Sequence, residues 1–169
     1  MSTSQKSGSL QAVIDEFTRR THAGTALLGA AIADQQLHDA ILTKMRSLSR
    51  KLEDELFTGY GPLSSLSAKI AFAYALKLID SNARKRLSVA RQIRNKFAHA
   101  DDFLTFESPE ILRLLALFPP DCDKPVKNEY LYMWHLQQVE SHLVASAGPH
   151  IRKSGSAAAT DVSCDTSSQ

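Results

Sequence analysis

The sequence predicts an all-α, one-domain bundle of about six or seven helices, and three observations lead there. Apolar residues recur at steps of three and four through most of the chain. No stretch alternates apolar and polar residues in the manner of a strand. Strong helix start and stop signals separate the periodic segments, at Gly59-Tyr60-Gly61-Pro62 and at Ser108-Pro109-Glu110. With 169 residues the chain is long enough to bury a core of its own.

The elements follow in order. Leu10, Val13, Ile14 and Phe17 mark a short amphipathic helix over 10–20. Ala30, Ala33, Leu37, Ile41, Met45, Leu48, Leu52 and Leu56 form one apolar face over 22–57, so this region is one long helix or two nearly collinear ones. Its early part, Ala23 to Ala33, is rich in Ala and Gly and lets a neighbouring helix approach closely, inside the core or across a dimer interface. After the Gly/Pro break, Ser64 or Ser65 caps a helix over 65–79 that is apolar on most sides and is therefore expected to be the central buried one. Asp80-Ser81-Asn82 is a turn and cap, and 83–98 form a basic helix with Ala83, Leu87, Ala90, Ile93 and Phe97 on its apolar side. Ser108 as cap and Pro109 at the first helical position open a helix over 111–117, which ends at Phe118-Pro119-Pro120. The last helix, 128–145, carries Leu131, Met133, Trp134, Leu136, Val139 and Leu143 inward. Residues 1–8 and 147–169 are rich in Ser, Gly, Ala and Thr and are expected to be disordered, leaving 9–146 as the helical domain.

Composition narrows the function classes. A net charge of +2 argues for no extended binding to nucleic acid or membrane, so any basic site must be local. No apolar run approaches the ~18 residues of a membrane span, and the N-terminus has no secretory h-region. The expected location is cytoplasmic. Cys122 and Cys164 lie far from any CxxC or His-rich neighbourhood, so neither a disulfide framework nor a metal site is expected, and no cofactor is implied.

The segment with most chemistry is Arg91-Gln92-Ile93-Arg94-Asn95-Lys96-Phe97-Ala98-His99, at the end of the basic helix. A permanently charged guanidinium, a carboxamide and an imidazole that titrates near neutrality can bind a phosphate and move a proton. They can equally cap a helix and tie down the next loop. An Arg followed four to six residues later by His is expected about once by chance in such a chain; a polar residue directly after the Arg lowers this to about one in ten. On one straight helix Arg94 and His99 are about 140° apart, whereas Arg91, Asn95 and His99 share a face. Joint work by Arg94 and His99 therefore requires the helix to end before His99, or a two-fold dimer. Arg84, Lys85, Arg86, Arg91, Arg94 and Lys96 make the same helix strongly basic, a face for a phosphate backbone or acidic partner, or else a solvated face balanced by Glu53, Asp54 and Glu55. A helix-turn-helix is not visible, so direct DNA binding is not expected. Asp34, Gln35, Gln36, His38 and Asp39 can be read as a carboxylate/His site, but with Leu37, Ile41 and Leu42 interleaved they are expected to form the wet face of the long helix.

Taken together, Leu63-Ser64-Ser65-Leu66-Ser67-Ala68-Lys69-Ile70, Ala73-Tyr74-Ala75-Leu76-Lys77-Leu78-Ile79 and Ile93-Arg94-Asn95-Lys96-Phe97-Ala98-His99 resemble, in order and spacing, the mannitol operon repressor (MltR) family. Thr25-Ala26-Leu27-Leu28 and the stretch Ala33-Asp34 to Leu37 fit the first long helix of that family, and the resemblance covers about residues 12–115. Lys77 departs from it, standing where a glycine is expected. The resemblance implies an all-helical transcriptional regulator without a recognised DNA-binding motif, acting through protein partners and as a homodimer. Arg94-Asn95…His99 also resembles the signature of HEPN domains, helical dimers of which some are metal-independent ribonucleases. That likeness implies Arg94 on a phosphate, His99 handling protons, Asn95 orienting them, and RNA as the substrate.

Overall fold

The computed structural model describes residues 5–100, 103–120 and 127–147, with side chains described from Glu16 onward except at Arg19 and Ala147. Among these residues there are six helices and no strand: α1 (Gln5–Lys44), α2 (Arg50–Phe57), α3 (Leu66–Ala75), α4 (Ser81–Ala98), α5 (Pro109–Leu115) and α6 (Asn128–Ala147). The all-α fold read from the sequence is the fold observed. Of the two expected tails, 1–4 and 148–169 lie outside the described residues, as do Asp101, Asp102, Cys122 and Cys164.

The expected break near residue 21 does not occur. Nothing between Arg20 and His22 stops a helix, and the hydroxyls of Thr21 and Thr25 donate to the carbonyls of Phe17 and Thr21 at 2.9 and 3.1 Å, so the polar residues stay helical. The break comes instead at 45–49. There Met45 N–H tightens onto Leu42 O, and Ser49 caps α2 by accepting from Leu52 N–H. After α2 the chain folds back sharply: Leu63 N–H donates to Leu56 O at 2.9 Å. Gly61 permits this approach, because a Cβ there would meet the carbonyl oxygens of Glu55 and Leu56.

The central helix is α4, not α3. It packs against α1, α3, α5 and α6, whereas α3 packs on α1 and α4 and leaves Ala71, Tyr74 and Ala75 exposed. The apolar surface of α3 is largely alanine, too small to anchor a bundle, while α4 buries Leu87, Val89, Ile93 and Phe97. Helix α3 also ends earlier than expected. Lys77 sits at φ +57, with Leu78 N–H bonded to Ala73 O at 2.9 Å and Lys77 N–H to Tyr74 O at 3.0 Å, a Schellman C-cap.

The small residues of α1 serve the core. Helix α6 crosses α1 closely at Gly29, where an added Cβ would lie 2.8 Å from Leu136 Cδ1. One turn earlier the buried Tyr132 hydroxyl donates to Ala26 O at 2.8 Å. Phe106, fully buried between α4 and α5, joins the layers through its ring contacts with Phe97 and Tyr132, at 5.1 and 5.4 Å between centroids. Its backbone N–H donates to His22 Nδ1 at 3.0 Å, tying this loop to α1. Ser108 occupies the N-cap position of α5, but its hydroxyl accepts from Thr105 N–H at 3.0 Å and makes no bond to the helix.

Candidate functional site

Helix α4 and its C-cap carry the basic residues and the Arg94-Asn95…His99 motif that the sequence singles out. Asp80 Oδ1 accepts from Ala83 N–H at 2.7 Å and starts the helix; His99 ends it as the C-cap, donating its backbone N–H to Asn95 O at 3.2 Å. Because Leu87, Ala90, Ile93 and Phe97 face inward, Arg94 and His99 are left exposed and Arg91 and Asn95 half-buried.

The basic residues are dispersed in their engagements. The Arg84 guanidinium lies 4.5 Å above the Tyr74 ring. Arg86 Nε donates to His135 Nδ1 at 3.3 Å, and Lys96 Nζ is 3.4 Å from Glu110 Oε2. Lys85 is exposed. The acids of α2 do not balance this face: Glu53 is 3.4 Å from His38 Nε2, and Glu55 is within 3.9 Å of Lys51.

Arg94 and His99 open onto different recesses. His99 lines one of about 570 Å³ with Gln92, Asn95, Lys96, Phe103, Leu104, Glu110 and Leu114, between the end of α4 and the start of α5. Arg94 lines another of about 560 Å³ with Arg91, Asn95, Asp34 and the start of α3, Ser64 to Ser67. Asn95 is common to both, and its Oδ1 accepts from Arg94 Nη1 at 3.1 Å. Within one chain, therefore, Arg91, Arg94 and Asn95 come together, and so do Asn95 and His99, but the arginine and the imidazole do not share a cavity.

Several polar residues with structural consequences carry no sequence signal beyond their type. Lys69, inside the mostly apolar α3, is buried and bonds Asp34 Oδ2 at 2.7 Å. His38 bridges α1 to α2 through Glu53 and packs edge-on against Phe57. His135 is buried, stacked on Phe118 at 3.9 Å; burial, reinforced by Arg86, pulls its pKa down to about 4. Burial alone pushes the Tyr132 hydroxyl well above the usual phenol range. Among the described residues no three His, Cys, Asp or Glu side chains are grouped to hold a metal ion, and no helix is long and apolar enough to cross a membrane.

No family model and no curated protein matches the chain. Among solved structures it is similar to a chain in the X-ray structure of the MtlR–HPr complex from Escherichia coli, at 23% identity over 76% of this chain and 84% of that one, with a TM-score of 0.47.

Beside the basic helix, the α1–α6 crossing presents an apolar strip. Leu28 and Ile32 of α1 and Tyr130 and Met133 of α6 are exposed around Gly29, the first and third by 63% and 61%. Ile32, Tyr130 and Met133 line a recess of about 520 Å³ that also reaches Ala33, Trp134 and Leu136, and with Leu28 they line a neighbouring one of about 300 Å³.

Proposed function

We propose that this protein is a helical regulator of the mannitol-repressor type that acts by binding a protein partner and catalyses no reaction. The observation that carries the reading is the strip formed by Leu28, Ile32, Tyr130 and Met133, contiguous apolar surface of the kind that marks protein–protein contact sites. The ordered sequence resemblance over about residues 12–115 supports the regulatory class. A cytoplasmic setting and self-association as a homodimer belong to the same reading; DNA is not contacted directly. HPr, named in the E. coli complex, is the first partner to test. Titration calorimetry of the full chain with HPr is expected to give saturable binding that Ile32→Glu with Met133→Glu abolishes, and sedimentation is expected to give a dimer. A monomer that ignores HPr would reject the proposal.

A second reading is kept by one observation: Arg94 and His99 are both exposed, and no carboxylate engages either among the described residues. A metal-independent ribonuclease of HEPN type requires two chains related so that Arg94 of one approaches His99 of the other, with Asn95 orienting both. RNA cleavage in EDTA by the parent, His99→Ala and Arg94→Ala decides it. Cleavage lost in both variants favours the enzyme; identical background in all three removes it.

A further inference from the structure

We infer that the recess between α1, the start of α3 and α4 binds a small phosphomonoester. Three independent groups of donors face it. Arg91 and Arg94, at i and i+3 of α4, both line it, and neither meets a carboxylate among the described residues. Asn95 holds Arg94 in place through the 3.1 Å bond to its Nη1. The ten-residue helix α3 opens into the same recess with Ser65 as N-cap. Ser65 Oγ takes Ala68 N–H at 3.1 Å and Ser65 O takes Lys69 N–H at 3.0 Å, which leaves the first two helical amides, Leu66 and Ser67, without acceptors among the described residues. Both residues line the recess, and the Ser64 and Ser67 hydroxyls stand beside them.

The one acid present does not cancel this field. Asp34 is already neutralised by the buried Lys69, so the two guanidinium charges remain in excess. Two guanidinium forks, two free amides and two hydroxyls match the three terminal oxygens of a dianionic phosphate. Leu27, Ala30 and Ala31 supply an apolar wall for a short carbon body, and about 560 Å³ falls within the size of small-molecule sites. A nucleic-acid backbone fits less well, because it requires a track of free cations. Along α4 Arg84 is engaged over Tyr74, Arg86 on His135 and Lys96 beside Glu110, all apart from this recess, and the exposed Lys85 does not line it. His99 takes no part in the site, and the inference is independent of the partner-binding reading.

The test uses the full chain, with inorganic phosphate, glucose 6-phosphate, glucose and a single-stranded RNA as probes. Phosphate and glucose 6-phosphate are expected to shift the Leu66 and Ser67 amide resonances, and glucose is expected to leave them in place. Arg91→Ala and Arg94→Ala, with circular dichroism showing an intact helical fold, are expected to weaken glucose 6-phosphate binding roughly tenfold or more each, the scale of one charge-assisted hydrogen bond. Arg84→Ala is expected to bind as the parent does. Amides that ignore phosphate, undiminished affinity in the Arg91→Ala Arg94→Ala double variant, or binding of RNA without binding of the monoester would each overturn the assignment.

Discussion

Lys69 Nζ lies 2.7 Å from Asp34 Oδ2, an ion pair that joins α3 to α1 with the lysine buried and the carboxylate about one-third exposed. The second carboxylate oxygen, Oδ1, is shielded from solvent and has no donor. Asp34 thus relies on Lys69 for its compensation, and Lys69 has given up most of its hydration to reach it. Removing one partner strands the other charge; replacing both removes the problem.

Asp34→Ala is therefore expected to cost roughly 2–3 kcal/mol, less than for a fully buried pair because water reaches part of the carboxylate site. Asp34→Ala combined with Lys69→Met is expected to recover to within about 1 kcal/mol of the parent, since methionine fills the same volume without charge. Urea unfolding of the four proteins closes the cycle. Additive losses in the double variant would show that the pair is not coupled.

Lys77 carries the only positive φ of a non-glycine residue among those described, at +57, in the C′ position of the α3 cap. A side chain there crowds the backbone by about 1–2 kcal/mol, while glycine adopts the conformation freely but loses more entropy on folding. The balance favours Lys77→Gly by about 0.5–1 kcal/mol. A thermal melt that shows no rise, or a fall, would contradict this account.

The Lys77 cap also shows what the sequence could and could not convey. The expectation of a glycine at 77 has a backbone reason: the residue sits at φ +57, where glycine is unstrained. Helix class, the Asp80 cap, the Gly59–Pro62 break and the core face of α4 were all legible, because each rests on local spacing or local capping chemistry; on α6 the expectation holds for Leu136, Val139 and Leu143, but Met133, expected inward, is exposed and Tyr132 and His135 are buried in its place. Which helix lies at the centre was not. A run such as Leu66-Ser67-Ala68-Lys69-Ile70-Ala71-Phe72-Ala73 scores as apolar, yet alanines bury little area and α3 ends at the edge of the bundle. The partners of Lys69, His22 and His135 were equally hidden, since each contact joins residues far apart in the chain. The candidate site was half legible: helical geometry separates Arg94 from His99, but only tertiary packing brings Ser64 to Ser67 against Arg91 and Arg94.

Gly61 gives a sharper test of close approach. An added methyl at 61 would press on the Leu56 carbonyl oxygen at 2.5 Å, the same oxygen that accepts from Leu63 N–H. Backbone on both sides leaves no flexible side chain to move aside. Gly61→Ala is expected to destabilise by about 1–3 kcal/mol, whereas Gly24→Ala, with open space around it on α1, is expected to be neutral or stabilising by up to about 1 kcal/mol. Equal melting temperatures for the two variants would refute the distinction.

His135 sets the acid limb of stability. Its folded pKa, about 4, lies below the ordinary imidazole value of 6.5, with burial the larger cause and the Arg86 charge the second. Between pH 6.5 and pH 4 the unfolded chain therefore binds a proton that the folded chain refuses, so stability falls as pH falls through that window and is full above it. The loss is on the order of 2–3 kcal/mol, and it belongs to this ring. His135→Leu removes the titrating group but also the acceptor of Arg86 Nε, so it is expected to be less stable at pH 7 and to show a flatter decline from pH 6.5 to pH 4 than the parent. Chemical denaturation at half-unit pH steps measures both curves. Parallel curves for parent and variant would mean that His135 does not carry the acid sensitivity.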